Sequence, residues 1–211
     1  DGWVKGQNKF DGYVGWIRVN QFLRMDEPLT ASTQYSADWV NEIYVGEQLL
    51  RIPFATNLSL LQAKNLPQPI KYTGNIWQAE KQKVDLETIN YLSSYCMNTG
   101  YLWGGRSVFG IDCSGFVQTV FKMMNIPLLR DAKDQATQGE EVPFLQGVKA
   151  GDIAFFDDAE GKITHVGILL NQHEIVHASG NVRIDKIDSA GIIHSDTGLR
   201  THQLRIIKRM Q

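Results

Sequence analysis

The chain has few cysteines and no long apolar run. Cys96 and Cys113 are its two cysteines among 211 residues, too few for a disulfide framework, and no C-x-x-C spacing indicates a zinc site. No stretch approaches the roughly 20 apolar residues that span a bilayer, and no charged-then-apolar leader opens the chain. Because the sequence starts at Asp1 rather than Met, we expect a mature or truncated product.

An excess of charge of either sign is also missing. Lys and Arg number 21 and Asp and Glu 23, which gives a formal net charge of −2 with both signs interspersed. We therefore expect no nucleic-acid groove and no basic surface for an anionic membrane. Hydrophobic residues make up 43% of the sequence, which is typical of a globular protein that buries a core.

Short strand-like runs fill the first 82 residues. Residues 3–5 and 13–19 flank a turn at Asp11-Gly12 and predict a hairpin. Further runs, separated by Pro, Gly and Asn, are residues 43–45, 48–52 and 70–72. This spacing favours a small barrel over a helical domain.

The pattern changes to helices at Asp85, a good N-cap residue. Apolar side chains follow it at helical spacing until Asn98-Thr99-Gly100: Leu86, Ile89, Leu92 and Cys96. On this stripe Cys96 is most simply a small buried hydrophobe.

A second helix begins at or next to Cys113. Its apolar residues recur in a 3,4 rhythm until Asn125 and Pro127 break it: Phe116, Val117, Val120, Phe121 and Met124. Strand-like runs then cover residues 153–156, 163–170, 174–178 and 204–207. Helices followed by a mostly antiparallel sheet predict an α+β domain rather than a doubly wound one.

Cys113 is the candidate nucleophile. A thiol attacks as the thiolate, and we expect the start of a helix to lower its pKa through exposed N–H groups and the positive end of the dipole. The preceding loop, Trp103-Gly104-Gly105-Arg106 with Gly110, permits a ligand to approach the backbone closely.

His165 and His177 are the candidate base and the residue that orients it. A hairpin closed around residues 171–173 places Gly167 opposite His177. Because side chains alternate between faces, both imidazoles then lie on one face with backbones about 7 Å apart, close enough for the rings to touch. Packing the start of the Cys113 helix on that face brings nucleophile, base and orienting group together.

Simpler interpretations stay open at this point. The three residues could be an unrelated buried cysteine and two sheet histidines, or a Cys-His-His zinc site that lacks a fourth ligand at a familiar spacing. For the remaining histidines, His173, His194 and His202, we expect solvated positions in a turn, a polar loop and the start of a strand.

Five ordered motifs resemble the NlpC/P60 family of cell-wall cysteine peptidases. They are residues 101–106, 110–117, 151–153, 165–168 and 177–180. The resemblance covers residues 83–211 and implies a papain-like α+β catalytic domain without a cofactor or metal. It implies that Cys113, His165 and His177 are nucleophile, base and third polar residue.

The N-terminal residues resemble bacterial SH3 domains. Residues 1–27 look like the C-terminal part of a first small all-β SH3-like barrel and residues 28–82 like a second, divergent one. This arrangement is similar to that of γ-D-glutamyl-L-diamino acid endopeptidases, which trim muropeptides with a free N-terminal L-Ala.

The same resemblance implies a set of substrate-binding residues. They are Tyr101, Asp112, Ser114, Arg130, Asp131 and, from the first SH3-like domain, Tyr13. Asp112 could equally be a helix cap that also contacts substrate, and Ser114 only a first-turn residue. Ala132 stands where such endopeptidases often carry serine, which removes one hydroxyl contact.

The function implied is hydrolysis of the bond between γ-D-Glu and diaminopimelate or lysine. The partners would be peptidoglycan stem peptides or muropeptides, and we expect a monomer without a transmembrane segment in the cell envelope, periplasmic or secreted. Two alternatives stay open. One is a wall-binding scaffold without turnover, and the other is acyl transfer to lipid or amine acceptors on the same core.

Overall fold

The computed structural model of the chain describes residues 2–22, 24–25 and 28–210. These residues form two compact units, an N-terminal unit of residues 1–79 and a C-terminal unit of residues 80–211. The boundary expected between residues 82 and 83, and the division of the N-terminal unit into two SH3-like parts, stay predictions.

The N-terminal unit consists of short antiparallel strands. They are β1 (Trp3–Gln7), β2 (Val14–Arg18), β3 (Gln34–Ser36), β4 (Val40–Val45), β5 (Gln48–Pro53), β6 (Ile70–Tyr72) and β7 (Ile76–Gln78). Strands β1 and β2 form the expected hairpin, β3 pairs with β7, and β4 lies between β5 and β6. The expected strands are thus confirmed, while β3 and β7 were not predicted.

The C-terminal unit has three α-helices and a larger sheet. The helices are α1 (Leu86–Ser94), α2 (Cys113–Lys122) and α3 (Ala132–Gln135). The strands are β8 (Arg106–Ser107), β9 (Gly110–Ile111), β10 (Glu140–Glu141), β11 (Ile153–Asp157), β12 (Ile163–Leu169), β13 (Glu174–Ser179), β14 (Asn181–Asp188), β15 (Gly191–Ile193) and β16 (Arg200–Arg209). Helices α1 and α2 precede the sheet, so the predicted α+β order is confirmed.

Side-chain caps fix the starts of both longer helices. Asp85 accepts a hydrogen bond from the Thr88 amide at the start of α1, and Asp112 accepts one from the Gly115 amide at the start of α2. Every residue of α2 from Cys113 to Phe121 is buried, so this helix lies in the core of the unit, where it packs against β12 and β13. No helix within the described ranges is long and apolar enough to span a bilayer.

The large sheet closes on itself. Its order is β10-β16-β11-β12-β13-β14-β15, and β15 also pairs with β16, so strands β11 to β16 form a ring. A buried cluster fills the interior with side chains from each of these strands, among them Phe156, Leu169, Ile175, Ile187 and Ile192. This closure was not predicted, because β14 and β15 were not expected as strands.

Candidate active site

Cys113 is the first residue of α2, and its thiol faces β12. The Asp112 cap holds an extended backbone before it, at φ −97° and ψ 175°. The backbone N–H groups of Ser114 and Val166 donate to the sulfur. The side chain is 6% exposed, so it is nearly enclosed but can be reached from one side.

The charge state of this thiol corrects the sequence-based expectation. Burial, followed by the negative charge of Asp112, raises the pKa of Cys113 to about 11. The backbone N–H groups act in the expected direction, but their effect is smaller than the desolvation. The thiol is therefore protonated at neutral pH until a base takes its proton.

Tyr101 lies beside the sulfur. The backbone N–H of Tyr101 donates to the Gly180 carbonyl, and Tyr101 forms an isolated β-bridge with Ile111. These contacts fix the loop before α2. The Tyr101 hydroxyl hydrogen-bonds with Cys113, and burial together with the charges of Cys113 and Asp112 raises the pKa of Tyr101 to about 12. A neutral phenol with one partly exposed edge is suited to donate to an incoming polar group.

His165 and His177 are in direct contact inside the ring. Gly167 pairs with His177 as predicted from the hairpin register, and Nε2 of His165 lies 2.8 Å from Nδ1 of His177. A Cβ on Gly167 would lie 2.8 Å from the His177 Cβ, so glycine is required for this approach. Since His165 shares its strand face with the core residue Leu169, both imidazoles point into the ring.

Asp185 extends this contact and was missed by the sequence analysis. Its Oδ2 lies 3.1 Å from Nε2 of His177, and its Oδ1 accepts from the Ser195 amide at 2.8 Å. Burial alone raises its proton affinity, but hydrogen bonds from His177, Ser195 and Arg183 outweigh it and hold the pKa of Asp185 below its usual range. The carboxylate is therefore ionised although it is 1% exposed.

His202 is the second residue that the sequence analysis misjudged. Instead of the predicted solvated position at a strand start, it is half-buried and stacks on His165, with centroids 4.0 Å apart and planes 24° apart. Burial, then His202 and His177, lower the pKa of His165 well below 6.5. At rest, the Cys113 thiol and the His165 imidazole are consequently both neutral.

Asp112, Ser114 and Arg130 form a buried polar group at the start of α2. The Arg130 guanidinium donates to both carboxylate oxygens of Asp112, at 3.1 and 2.6 Å, and to the Ser114 hydroxyl at 2.9 Å. Asp112 also accepts from the Gly104 and Gly115 amides. The carboxylate thus fastens the glycine-rich loop to the helix, and its main cationic partner is Arg130.

The other two predicted substrate-binding residues are Asp131 and Tyr13. Asp131 precedes α3 and is partly exposed. Tyr13 belongs to the N-terminal unit, where half of its surface is exposed, and its role at the site stays a prediction.

The zinc alternative gains no support from this geometry. The Nε2 atom of His165 and the Nδ1 atom of His177 are hydrogen-bonded to each other, so these two nitrogens are not directed at a common ion. Within the part of the chain that the structure describes, no group of three or more His, Cys, Asp or Glu side chains is arranged to hold a metal.

Most of the C-terminal unit is similar to a known protein family. Residues 98–201 match the family model described as NlpC/P60 family. A Bacillus subtilis (strain 168) protein named gamma-D-glutamyl-L-lysine dipeptidyl-peptidase is 32% identical over 179 residues, which cover 79% of this chain and 60% of that protein. A Bacillus cereus protein with the same name is 24% identical over 217 residues, or 91% of this chain and 65% of the relative.

A solved structure agrees in fold. An NlpC/P60 family protein from Bacillus cereus ATCC 10987 matches 99% of this chain and 76% of its own, with a TM-score of 0.76 at 22% identity. The chain spans 60% and 65% of the lengths of the two curated relatives above. The matches confirm the predicted NlpC/P60 resemblance and the α+β fold of the C-terminal unit.

Proposed function

Because the chain carries a domain of the NlpC/P60 family, we propose that it is a cysteine peptidase that cleaves peptidoglycan-derived peptides. The bond cut is that between γ-D-Glu and a diamino acid, diaminopimelate or lysine. The observation that carries this proposal is the buried contact of two imidazoles, with Nε2 of His165 2.8 Å from Nδ1 of His177. His165 lies on β12 beside Val166, whose amide donates to the Cys113 sulfur. The names of the two Bacillus relatives support the choice of bond.

The reaction begins from a neutral pair. His165 takes the thiol proton of Cys113 as the sulfur attacks the γ-carbonyl carbon of D-Glu, and the carbonyl electrons move to the oxygen. The backbone N–H of Cys113 at the start of α2 stabilises this oxyanion, a contribution that reaches about 3 kcal/mol in comparable sites. Desolvation favours neutral groups at rest, so charge separates only as the reaction proceeds.

Collapse of the tetrahedral intermediate breaks the C–N bond. The imidazolium of His165 donates its proton to the leaving amine of the diamino acid, which leaves a thioester on Cys113. Water, deprotonated by His165, then hydrolyses the thioester and restores the thiol. His177 holds the His165 ring in place throughout.

Recognition of the substrate is assigned to the residues around the start of α2. Tyr101 presents its hydroxyl beside the sulfur, while Asp112, Ser114, Arg130 and Asp131 would contact the L-Ala end. Tyr13 would close the site from an SH3-like domain, and residues 1–27 and 28–82 would be two such domains. We place the protein in the cell envelope as a monomer.

A peptide-cleavage assay tests the proposal. The chain is incubated with L-Ala-γ-D-Glu-diaminopimelate, with the lysine analogue and with the N-acetylated forms, and the products are read by mass. Release of L-Ala-γ-D-Glu from the free forms, with no release by Cys113→Ala, supports the proposal, and loss of this selectivity in Asp112→Ala supports the role of Asp112. Cleavage of the acetylated peptides would overturn the requirement for a free N-terminus.

Absence of cleavage would favour the wall-binding scaffold instead. Alkylation of the two cysteines at neutral pH separates that outcome from a poor choice of peptide. A peptidase alkylates Cys113 faster than Cys96, because Cys113 is 6% exposed and has a base to take its proton, whereas Cys96 is 0% exposed and burial raises its pKa to about 12. Equal, slow alkylation of both thiols would overturn the peptidase proposal.

A further inference from the structure

A buried chain of hydrogen bonds links a carboxylate to the base through a second imidazole. Oδ2 of Asp185 lies 3.1 Å from Nε2 of His177, and Nδ1 of His177 lies 2.8 Å from Nε2 of His165. Asp185 and His177 are 1% and 0% exposed. No bulk water therefore competes for these groups, and each hydrogen bond must be supplied by one donor and one acceptor.

The carboxylate determines which nitrogen carries each proton. An ionised Asp185 has only acceptors, so Nε2 of His177 must be the protonated nitrogen. In a neutral imidazole the other nitrogen is then an acceptor, and Nδ1 of His177 accepts from Nε2–H of His165. The remaining nitrogen of His165, Nδ1, is left with a lone pair.

Arg183 already pairs with the carboxylate of Asp185 in this arrangement. Its Nε donates to Asp185 Oδ2 at 3.0 Å, and the Ser195 amide donates to Oδ1. The negative charge of Asp185 thus already has a cationic partner. A second cation on a fully buried imidazole would be uncompensated, which is costly in a protein interior.

We propose that Asp185 is a positioning residue that fixes the tautomers of both His177 and His165, so that Nδ1 of His165 is free to accept the proton of Cys113. This inference rests on the proposed peptidase function. In the reverse arrangement, His177 would donate from Nδ1 to Nε2 of His165, and Nδ1 of His165 would carry a proton. A protonated Nδ1 cannot take the thiol proton, so the reaction could not start.

The same strand provides a matched control. Asp188, also on β14, accepts two hydrogen bonds from Arg200 at 2.7 Å each and one from the Ala190 amide, but it is distant from the histidines along the strand and nearly half exposed. Asp185 and Asp188 are therefore two aspartates with an arginine partner, of which one contacts an imidazole. Asp188→Asn removes a more exposed aspartate–arginine pair on the same strand without removing a contact to the histidines.

The first measurement is steady-state cleavage of the stem peptide by Asp185→Asn and Asp188→Asn. An amide in place of the carboxylate can donate to Nε2 of His177 and so stabilise the wrong tautomer, which costs about 10⁴ in kcat in a comparable Asp-His pair. We expect Asp185→Asn to lower kcat by about 10³ to 10⁴ with KM within about threefold, and Asp188→Asn to retain kcat. A kcat of Asp185→Asn within about threefold of the unsubstituted chain would overturn the inference.

The second measurement reads the tautomers directly and does not depend on turnover. Imidazole ¹⁵N shifts are recorded for the Cys113→Ala chain with and without Asp185→Asn. The inference expects Nε2–H on both histidines, and Nδ1–H on His165 once Asp185 is replaced. Nδ1–H on His165, or a doubly protonated His177, in the chain that keeps Asp185 would contradict it.

The two proposals fail in different ways. If the unsubstituted chain cleaves no stem peptide and alkylates both thiols equally slowly, the peptidase proposal is overturned, and the ¹⁵N shifts alone decide the role of Asp185. If Asp185→Asn does not fold, as shown by a lost near-UV circular dichroism spectrum, the shifts of the chain that retains Asp185 decide it.

Discussion

His202 stacks on the ring of His165 with centroids 4.0 Å apart and planes inclined by 24°. The stack covers one face of the proposed base with a second titratable ring from β16, and Phe156 lies beside both at 5.7 and 5.9 Å. The base is therefore held by hydrogen bonding at its edge and by aromatic packing on its face.

Replacing His202 separates packing from charge. Burial is the largest cause of the lowered pKa of His165, and the coupling to protonation of His202 is the next. His202→Phe keeps a stacked ring and removes only this coupling, so we expect kcat within about threefold and an acid limb at higher pH. His202→Ala removes the ring, which is worth up to about 1.5 kcal/mol or about tenfold in kcat. Kinetics over pH for both variants test this, and an acid limb that does not move in His202→Phe would contradict it.

The pH dependence of kcat/KM is expected to be broad. Catalysis needs a neutral His165 as base, and because its pKa is lowered well below 6.5, the acid limb should fall below pH 6.5. The basic limb should lie above pH 9, since burial raises the pKa of the Cys113 thiol to about 11. An acid midpoint at or above 6.5 in free-enzyme kinetics would refute the buried neutral pair.

Acid should destabilise the fold through the same histidines. The pKa of His202 is lowered from 6.5 to about 4 by burial, followed by His177, so between these values the unfolded chain binds a proton that the folded chain does not. The free energy of unfolding therefore decreases as the pH falls from 6.5 towards 4. Urea unfolding at several pH values measures the slope, which should be smaller in His202→Phe than in the unsubstituted chain.

Gly167→Ala should impair the site more than the fold. The new Cβ would lie 2.8 Å from the Cβ of His177 and the Cδ1 of Ile175. The isoleucine tip can rotate away, but His177 must shift with its strand, and small displacements of catalytic groups cost about 10² in rate. Gly100→Ala is the matched control, since a Cβ there meets nothing within 4 Å.

For both glycine variants, kcat and the midpoint of thermal unfolding are measured. We expect a lower kcat for Gly167→Ala and wild-type values for Gly100→Ala. Equal kcat values for the two variants would show that close approach at Gly167 does not matter.

Local patterns were sufficient to predict much of the C-terminal unit. Asp85 and Asp112 mark helix starts because their side chains cap free amides nearby in sequence, and the register of β12 and β13 follows from a short hairpin. Such features depend on contacts within a few residues, which a sequence shows directly.

Features that depend on distant pairing were missed. Strand β14 carries Arg183 and Asp185 on its inward face, so charged residues occupy positions where an apolar pattern would have revealed a strand. His202 reaches His165 only because β16 pairs with β15 and β11. The direction of the Cys113 pKa was wrong because burial, which outweighs the helix start, cannot be read from the residues beside it.

The ring of the large sheet closes through β16, the last strand of the C-terminal unit. Ile153 on β11 pairs with Lys208, and Gly191 on β15 pairs with Gln203. Both partners of β16 precede it in the sequence, so the ring closes only through residues 200–209. A chain that lacks this segment would have no His202 stacked on His165. The ring around the hydrogen-bonded His165, His177 and Asp185 would also be open. Closure of the ring and the packing on the proposed base therefore both depend on the last strand of the unit.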